Sequence, residues 1–586
     1  MTKKKTSANQ LELSFEEGKQ VSVEASVDIK PSKAATKIKK SEQKSEVEVP
    51  TKKRASQTRI AATAESMAGK QRDISISEFF AKNRHLLGFD NPRRALLTAV
   101  KEAVDNSLDA CEEAQIMPKL TVTIKSLKDD KFTLTVRDNG PGIVKKQVPN
   151  IFARLLYGSK FHSLKMSRGQ QGIGISAAGM YGLLTTGEPV QIVSRTSPNK
   201  PAYHCHVQID TSINRPQVMK DEDCEFDLPT GTSVTITLVG KYLKGKQSVD
   251  EYIAQTAIAN PHAEIIYNSP DGETYEYKQT TEEPPFLPVE IKPHPYGVEL
   301  GLLYKMIKDS SYKSISEFLR NEFSRVSQKV AEEICNNAKI DVDAQPARFT
   351  LKKAEVLHKA INETKIKAPS TNCIGPIGEE KLKEGLARVV DADFYEAVSR
   401  SPSVYRGNPF LVEAAIAYGI KSGSDAGGEG QESDKEPLMR VMRIANRVPL
   451  LYQQSSCAIY KAVLDINWRN YSLSQSRGAL PQGPLVLMVH FASVWVPFTS
   501  ESKEAIAHYP EIIREIQLAI QECGRKLGVY LRRQKRIKRE MAKRHYIETY
   551  LPYIGEALQD ILSLKDNEVK AILVNLEDVL EKTRKI

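Results

Sequence analysis

The run ALLTAVKEAVDNSLDACEEA, residues 95–114, decides how the rest of the chain is read. Leu97, Val100, Val104, Leu108 and Cys111 recur at steps of three and four, the spacing of an amphipathic helix that lays one stripe against a sheet. Glu102 and Asn106 lie off that stripe, so a carboxylate and an amide oxygen project from one helical face, one turn apart. Such a pair suits a water-orienting base beside a metal ligand. By itself E-x-x-x-N also decorates many solvated helix faces, so the chemistry has to be sought in what surrounds it.

Upstream, Asn91 followed by Pro92 is a good helix opening. Downstream, LTVTIKSL (120–127) and FTLTVRDNG (132–140) alternate apolar and polar residues on either side of Lys128, Asp129, Asp130 and Lys131, which predicts an antiparallel hairpin. The second strand ends in Asp138, Asn139, Gly140, Pro141 and Gly142. These are ordinary turn residues, but they also put a carboxylate at a strand end beside glycines that let a ligand approach the backbone. Next comes IFARLLYGSKFHSLKMSRGQQGIGISAAGMYGLLTTG (151–187), in which Gly169, Gly172 and Gly174 form G-x-x-G-x-G before a helical stretch over 175–184. Bare amides at a helix start can cradle phosphate, with Lys160, Lys165 and Arg168 adding positive charge. The spacing is neither a Walker A loop nor a Rossmann fingerprint. Residues 190–196, 202–209 and 232–240 read as further strands, the last opened by Gly231 and Thr232.

A chain of 586 residues with 40% hydrophobic content should hold about three or four domains with ordinary cores. The longest stretch without an acidic or basic side chain, 478–500, is interrupted by prolines, and its apolar part falls short of the ~20 residues a membrane helix needs, so a buried strand is expected there. With no apolar segment after Met1, the chain is expected to stay in the cytosol. The seven cysteines are widely spaced without a C-x-x-C pair, which points to reduced thiols rather than zinc or a disulfide framework. Of the net charge of +11, residues 1–72 carry +7, from 16 Lys+Arg against 9 Asp+Glu, which leaves +4 for the remaining 514 residues. Overall charge is therefore a poor argument that the folded part binds DNA. Residues 1–72, poor in aromatics and without periodicity, are expected to be disordered, either a solvated linker or a basic arm that touches DNA.

Beyond residue 295 the pattern turns helical. LGLLYKMI, SISEFLRNEF, SQKVAEEICNNAK and LKKAEVLHKAINE are short amphipathic runs, the last following Thr350 as N-cap. Arg320, Arg325, Lys329, Lys352 and Lys353 offer phosphate contacts, but acidic neighbours make a neutral spacer an equal reading. From 391 onward, 409–419, 439–452 and 484–496 read as strands, separated by a Gly/Ser/acidic loop at 422–437 that is expected to be mobile. From 510 to about 549 runs a helix dense in Arg and Lys, either a solvated face or a surface for DNA or a partner.

Taken in order, helix E-x-x-x-N, strand-end D-x-G-x-G, a basic segment with G-x-x-G-x-G and Gly-Thr before a strand resemble the Bergerat ATP-binding fold of the gyrase, chaperone, histidine kinase and mismatch-repair ATPases. The wording of NRHLLGFDNPRRALLTAVKEAVDNSLDAC, LLYGSKFHSLKMSRGQQGIGISAAGMYG, SPSVYRGNPFLVEAAIAYG, RIANRVPLLYQ and WVPFTSESKEAIA is similar to the B-subunit family of the type IIB enzyme DNA topoisomerase VI, over about residues 73–586. That resemblance implies an α/β multidomain chain: a disordered basic tail (1–72), a Bergerat-fold α+β sandwich ATPase domain (73–295), a helix-two-turns-helix domain (296–390), an α/β transducer domain with a long C-terminal helix (391–549) and a helical segment (550–586). It implies ATP and Mg²⁺ as cofactors, and a place in the cytoplasm with the nucleoid if the chain is archaeal or in the nucleus if it is from a plant. Glu102 would polarise the attacking water, and Asn106 would ligate Mg²⁺. Asp138 would read the adenine amino group, with Gly142 and Thr232 beside it. Gly169, Gly172 and Gly174 would wrap the phosphates, with Ser159, Lys160, Gln170, Gln171 and Ile173 of the same segment completing the contact. Lys503 matches the transducer lysine that meets the γ-phosphate.

The resemblance further implies an ATP-dependent homodimer closed by residues 74–90, double-stranded DNA as substrate, and a separate DNA-cleaving A subunit in an A₂B₂ heterotetramer. Cutting is expected elsewhere because Asp391, Ala392 and Asp393 form a lone D-x-D in an expected helix, and no tyrosine among 22 stands out as a nucleophile. The rival is a mismatch-repair or chaperone-like ATPase clamp that passes no DNA. A histidine kinase is disfavoured because no helix bearing a phospho-accepting histidine precedes the ATPase motifs.

Overall fold

The computed structural model describes residues 67–68, 71, 73–161, 163–169, 171–421 and 437–583. The basic tail, the 422–437 loop save Pro437, and Gln170 therefore lie outside the described residues, apart from a few positions near residue 70. After α1 (Ile76–Lys82) comes the long helix α2 (Pro92–Glu113), opened as expected by Pro92 in its first turn and by Asn91, whose side chain accepts from the Arg94 amide. Leu97, Val100, Val104, Leu108 and Cys111 are all buried, as their spacing predicts. Strands β1 (Lys119–Ser126) and β2 (Lys131–Asp138) pair antiparallel, and their turn places Asp129 and Asp130 at φ 60° and 53°. Two consecutive positive φ values match the right-handed twist of a two-residue hairpin, and aspartate tolerates them.

The chain continues through α3 (Val148–Phe152), α4 (Gly174–Thr186), β3 (Val190–Arg195), β4 (Ala202–Asp210), β5 (Arg215–Cys224), β6 (Gly231–Val239), α5 (Val249–Ala259), β7 (Glu264–Asn268) and β8 (Thr274–Tyr277). The eight strands form one sheet in the order β5-β4-β3-β6-β2-β1-β7-β8, antiparallel except for β1 beside β7. Helices α2, α4 and α5 share one core with the sheet, giving the two-layer α+β sandwich expected from the motifs.

Four short helices follow, α6 (Leu300–Lys308), α7 (Ile315–Glu322), α8 (Gln328–Ala338) and α9 (Leu351–Glu363). Ser314, Ser327 and Thr350 cap the last three, and Phe318, Phe323 and Phe349 fill a separate core. Then α10 (Glu379–Val389), β9 (Phe394–Ser399), β10 (Ser403–Tyr405), β11 (Asn408–Tyr418), β12 (Arg440–Ala445), β13 (Val448–Pro449), α11 (Ala458–Asp465), β14 (Ser474–Gln475), β15 (Pro481–Gln482) and β16 (Leu485–Ser493) build a second α/β layer. Its main sheet runs β10-β11-β16-β12-β13, with β12 parallel to β16 and β9 beside β11. Every residue of β16 is buried, because α12 (Pro510–Leu562) covers one face of the sheet while α10 and the end of α5 cover the other. The uncharged stretch is thus a strand covered on both faces. Helix α12 continues unbroken past residue 549, and α13 (Asp566–Thr583) folds back on it.

Two expectations need correction. Asp391, Ala392 and Asp393 are not helical: α10 ends at Val389, and the Asp393 amide donates to the Tyr418 carbonyl at 3.0 Å, drawing this link into extended pairing. Residues 439–452 are not one strand either. Asn446 and Arg447, at φ 47° and 66°, fold the run back between β12 and β13, at a cost of about 1–3 kcal/mol per left-handed non-glycine residue. Among the described residues no helix is long and apolar enough to cross a membrane, and all seven cysteines are free.

One polar side chain of α2 points inward. Asp105 is buried and accepts from the Tyr252 hydroxyl of α5 at 2.9 Å. Burial raises its carboxyl from 3.8 to about 7, the nearby Lys101 opposing. Between those pH values the folded chain keeps a proton that the unfolded chain releases, so this group makes stability fall as pH rises from about 4 through 7. Asp105→Asn keeps an acceptor for Tyr252 without the charge. Thermal melts should show it a few degrees more stable than the parent at pH 8, with the difference gone near pH 4.

Candidate active site

Helix α2, the end of β2, the segment leading into α4, and the start of β6 converge on one cavity of about 650 Å³. Glu102, Asn106, Asp138, Gly142, Ser159, Lys160, Gly169, Gln171, Gly172, Ile173, Gly174, Thr232 and Lys503 all line it. Gln170 lies outside the described residues. Lys503 arrives from more than 300 residues away, in the loop after β16. Leu450, Leu451 and Tyr452 line the cavity as well.

Asp138 sits at the strand end because β2 pairs with both β1 and β6 there, opposite Leu120 and Thr232. One carboxylate oxygen accepts from the Gly140 amide at 2.9 Å and the Thr232 amide at 3.1 Å, and the other from the Ser107 hydroxyl at 2.8 Å. Burial still leaves its pKa above the ordinary value, these donors opposing. With its donors fixed, the carboxylate has defined lone pairs left for a ligand amine. Gly142, at φ 72°, is required: a Cβ there would lie 2.1 Å from the Arg195 carbonyl oxygen. Ser194 links the same corner, bonding the Thr232 hydroxyl at 3.1 Å and accepting from the Ile143 amide at 2.8 Å.

Glu102 lies against the first turn of α4. A Cβ on Gly174 would come within 1.7 Å of its carboxylate, so this glycine makes room for Glu102 as well as baring an amide. The start of a helix also favours a negative charge. Asn106 is exposed, and its amide oxygen points toward Gly169, where an added Cβ would be 3.6 Å away. Neither Glu102 nor Asn106 has a hydrogen-bond partner among the described residues, so both polar ends are available to a ligand.

The basic residues of the segment behave differently from expectation. Lys160, Lys165 and Arg168 turn onto the acidic face of α2 rather than offering free charge to phosphate. Lys160 pairs with Asp109 at 2.9 Å and Glu113 at 3.2 Å, and Lys165 with Glu113 at 3.4 Å. Arg168 is buried, forking onto Glu112 at 2.6 and 2.8 Å and reaching Asp109 at 2.8 Å. Burial alone would raise the Glu112 carboxyl, but Arg168 and His262 hold it well below the ordinary range. The bases thus fix the approach to the glycine-rich segment, on the N-terminal side of Gly169, to α2. Sequence reading missed Asp109, Glu112 and Glu113, although their steps of three and four continue the Glu102 and Asn106 stripe.

The second α/β layer reaches the site through the loop after β16. Lys503, at φ 52°, donates to the Arg168 carbonyl at 3.3 Å, Gln171 bonds Glu501, and Arg94 of α2 bonds Glu504. A second cavity of about 330 Å³ adjoins the first between Lys101, Asp105, Gln171, Asn446 and Lys503.

Known proteins fit this arrangement. A family model described as "Histidine kinase-, DNA gyrase B-, and HSP90-like ATPase" matches residues 91–239, and one described as "Topoisomerase VI B subunit, transducer" matches residues 369–543. The type 2 DNA topoisomerase 6 B subunit of Methanococcoides burtonii is 48% identical over 503 residues, covering 86% of this chain and 79% of that one. Its counterpart in Archaeoglobus fulgidus is 43% identical over 519 residues, covering 88% and 84%, and that of Pyrococcus horikoshii 37% over 552 residues, covering 86% and 94%. An ATPase-type cavity completed by a lysine from the transducer layer, in a chain similar to these proteins over most of its length, places it in a family: the chain belongs to the type 2 DNA topoisomerase 6 B subunits.

Proposed function

We propose that this chain binds and hydrolyses ATP as the B subunit of a type II DNA topoisomerase, working with a separate DNA-cleaving A subunit in an A₂B₂ assembly. ATP binding closes two copies into a dimer through residues 74–90, hydrolysis reopens it, and the pair gates passage of one duplex through a break in another. The observation that carries this reading is the single cavity in which Glu102, Asn106, Asp138 and the segment's glycines meet Lys503 of the second layer. Domain limits at 73–295, 296–390 and 391–549, with 550–586 beyond, follow the same reading.

Within the cavity Asp138, set by Ser107 and the Gly140 and Thr232 amides, accepts from the adenine amino group. Backbone amides of the glycine-rich segment, Gly169, Gly172 and Gly174 among them, hold the phosphates, with Ser159 and Gln171 beside them and Lys160, its charge already balanced by Asp109 and Glu113, at the cavity wall. The free Glu102 carboxylate orients the attacking water and takes its proton. Lys503 places a cation where the γ-phosphate's charge is greatest. The free oxygen of Asn106 suits Mg²⁺, an ion that keeps several waters and needs few protein ligands; when bound it neutralises phosphate charge. Phosphoryl transfer needs such positioning and charge balance more than covalent chemistry.

Glu102→Ala should bind ATP and dimerise like the parent yet lose about 100-fold or more in phosphate release, read by coupled ATPase assay beside analytical ultracentrifugation; normal turnover would remove the base assignment. Lys503→Ala should keep nucleotide affinity within a few-fold and lose about tenfold or more in kcat. Supercoiled plasmid should be relaxed when this chain, ATP and the A subunit are all present. ATP-dependent closure around DNA with no change in linking number would favour the clamp.

A further inference from the structure

Lys503 has a neighbour in its hold on the glycine-rich segment. The base of that segment is Ser167 and Arg168, the two residues before Gly169. The carbonyl of Arg168 accepts from Lys503, and that of Ser167 accepts from the Asn446 side chain at 3.1 Å. Two consecutive carbonyls are therefore held by two side chains of the second layer. Lys503 lines the main cavity, whereas Asn446 does not and meets its polar annex instead.

Asn446 is rigidly placed. Its amide nitrogen also donates to the Ser493 carbonyl at 2.9 Å, and its oxygen accepts from the Ser493 amide at 2.9 Å. Ser493 ends β16, the strand whose following loop carries Lys503, so both contacts hang from one strand. The next residue, Arg447, is equally fixed. Its amide donates to His490 Nε2 at 3.1 Å, and His490 Nδ1 donates to Glu413 at 2.8 Å, which is bound in turn by the Ile377 and Gly378 amides. Its guanidinium lies 3.7 Å from Glu112, the carboxylate that Arg168 grips, and donates to the Pro376 carbonyl at 3.1 Å. Both residues hold left-handed φ values without being glycine. Such a conformation persists where the surroundings over-determine it, and it clusters at functional contacts.

We propose that the turn at Asn446 and Arg447 is a positioning element for nucleotide turnover. It seats the base of the glycine-rich segment from outside the main cavity, so that the amides of Gly169, Gly172 and Gly174 that line it follow the position of β16. This rests on the nucleotide-hydrolysis reading. The turn touches no reacting atom and acts through Ser167, Arg168 and Glu112. Because it grips the segment without a γ-phosphate, it gives the second layer a hold on the site that persists when Lys503 has lost its ligand.

The test is Asn446→Gly in the full chain, since glycine keeps the left-handed turn while removing the side-chain bonds. The expected result is a rise in the ATP KM of about tenfold, a kcat changed less than about twofold, and a melting temperature close to the parent's. The Asn446→Gly, Lys503→Ala double variant should lose less than the product of the single losses, because the two side chains hold adjacent carbonyls. If Asn446→Gly does not fold, Asn446→Asp retains the acceptor for the Ser493 amide and should raise KM in the same way. An unchanged KM in the folded variant, or a double variant whose losses simply multiply, overturns the proposal while leaving hydrolysis by the parent intact. A parent that neither binds nor hydrolyses ATP overturns the functional reading and this inference with it.

Discussion

The site depends on a buried guanidinium. Arg168 is sealed from water against Asp109 and Glu112 of α2, and an ionised side chain in that position costs several kcal/mol unless its partners are held around it. The acids keep it charged, and it keeps them charged despite burial. The stretch is basic before Gly169 and glycine-rich after it. Its leading part is nailed to the helix by ion pairs while Gly169, Gly172 and Gly174 are left bare to face the cavity. Moving the base of the segment would strand charges on both sides, so the cavity wall has one well-defined seat.

Helix α2 is consequently more than a carrier of two polar residues. Its non-core stripe runs Glu102, Asp105, Asn106, Asp109, Glu112 and Glu113, and each turn has a different task. Glu102 and Asn106 face the cavity without partners, Asp105 turns inward to Tyr252, and the last three hold the segment. A rigid helix fixes the spacing between these tasks, which is what a site that works by positioning requires. Around the glycine-rich segment the second α/β layer meets this frame through Lys503, Glu501 and Glu504 from one loop, and through the tight turn after β12. In the proposed cycle, a cation that reaches the cavity from another layer makes the disposition of the two layers depend on the charge bound there, because a bound triphosphate adds to the contacts that already favour the layers together.

Much of the fold is legible in the sequence. The periods of 3.6 and 2 place α2, β1, β2 and β6, the run of small residues after Gly174 places α4, apolar runs place β11 and β16, and turn chemistry places the hairpin at Asp129 and Asp130. Edge strands such as β5 are not legible, because eight of its ten residues are exposed and its sequence shows no apolar alternation to announce the pairing with β4. The run 439–452 reads as one strand because nothing in Asn446 and Arg447 announces two left-handed residues; their conformation is fixed by Ser493 and His490. The basic residues before Gly169 read as phosphate charge because a lysine's sequence does not state which acid it will meet.

The sequence by itself determined the elements, the order of the nucleotide motifs and the family, since helical and strand periods and motif spacing are local properties that a linear string carries in full. The tertiary structure alone decided which polar groups are paired and which are left open. Lys160 and Arg168 are taken by α2, Glu102 and Asn106 are left free, Gly174 is needed for a carboxylate as well as for an amide, and Lys503 closes a cavity built more than 300 residues earlier. Those outcomes depend on which side chains packing brings within a few ångströms of each other, and distance along the chain says nothing about that.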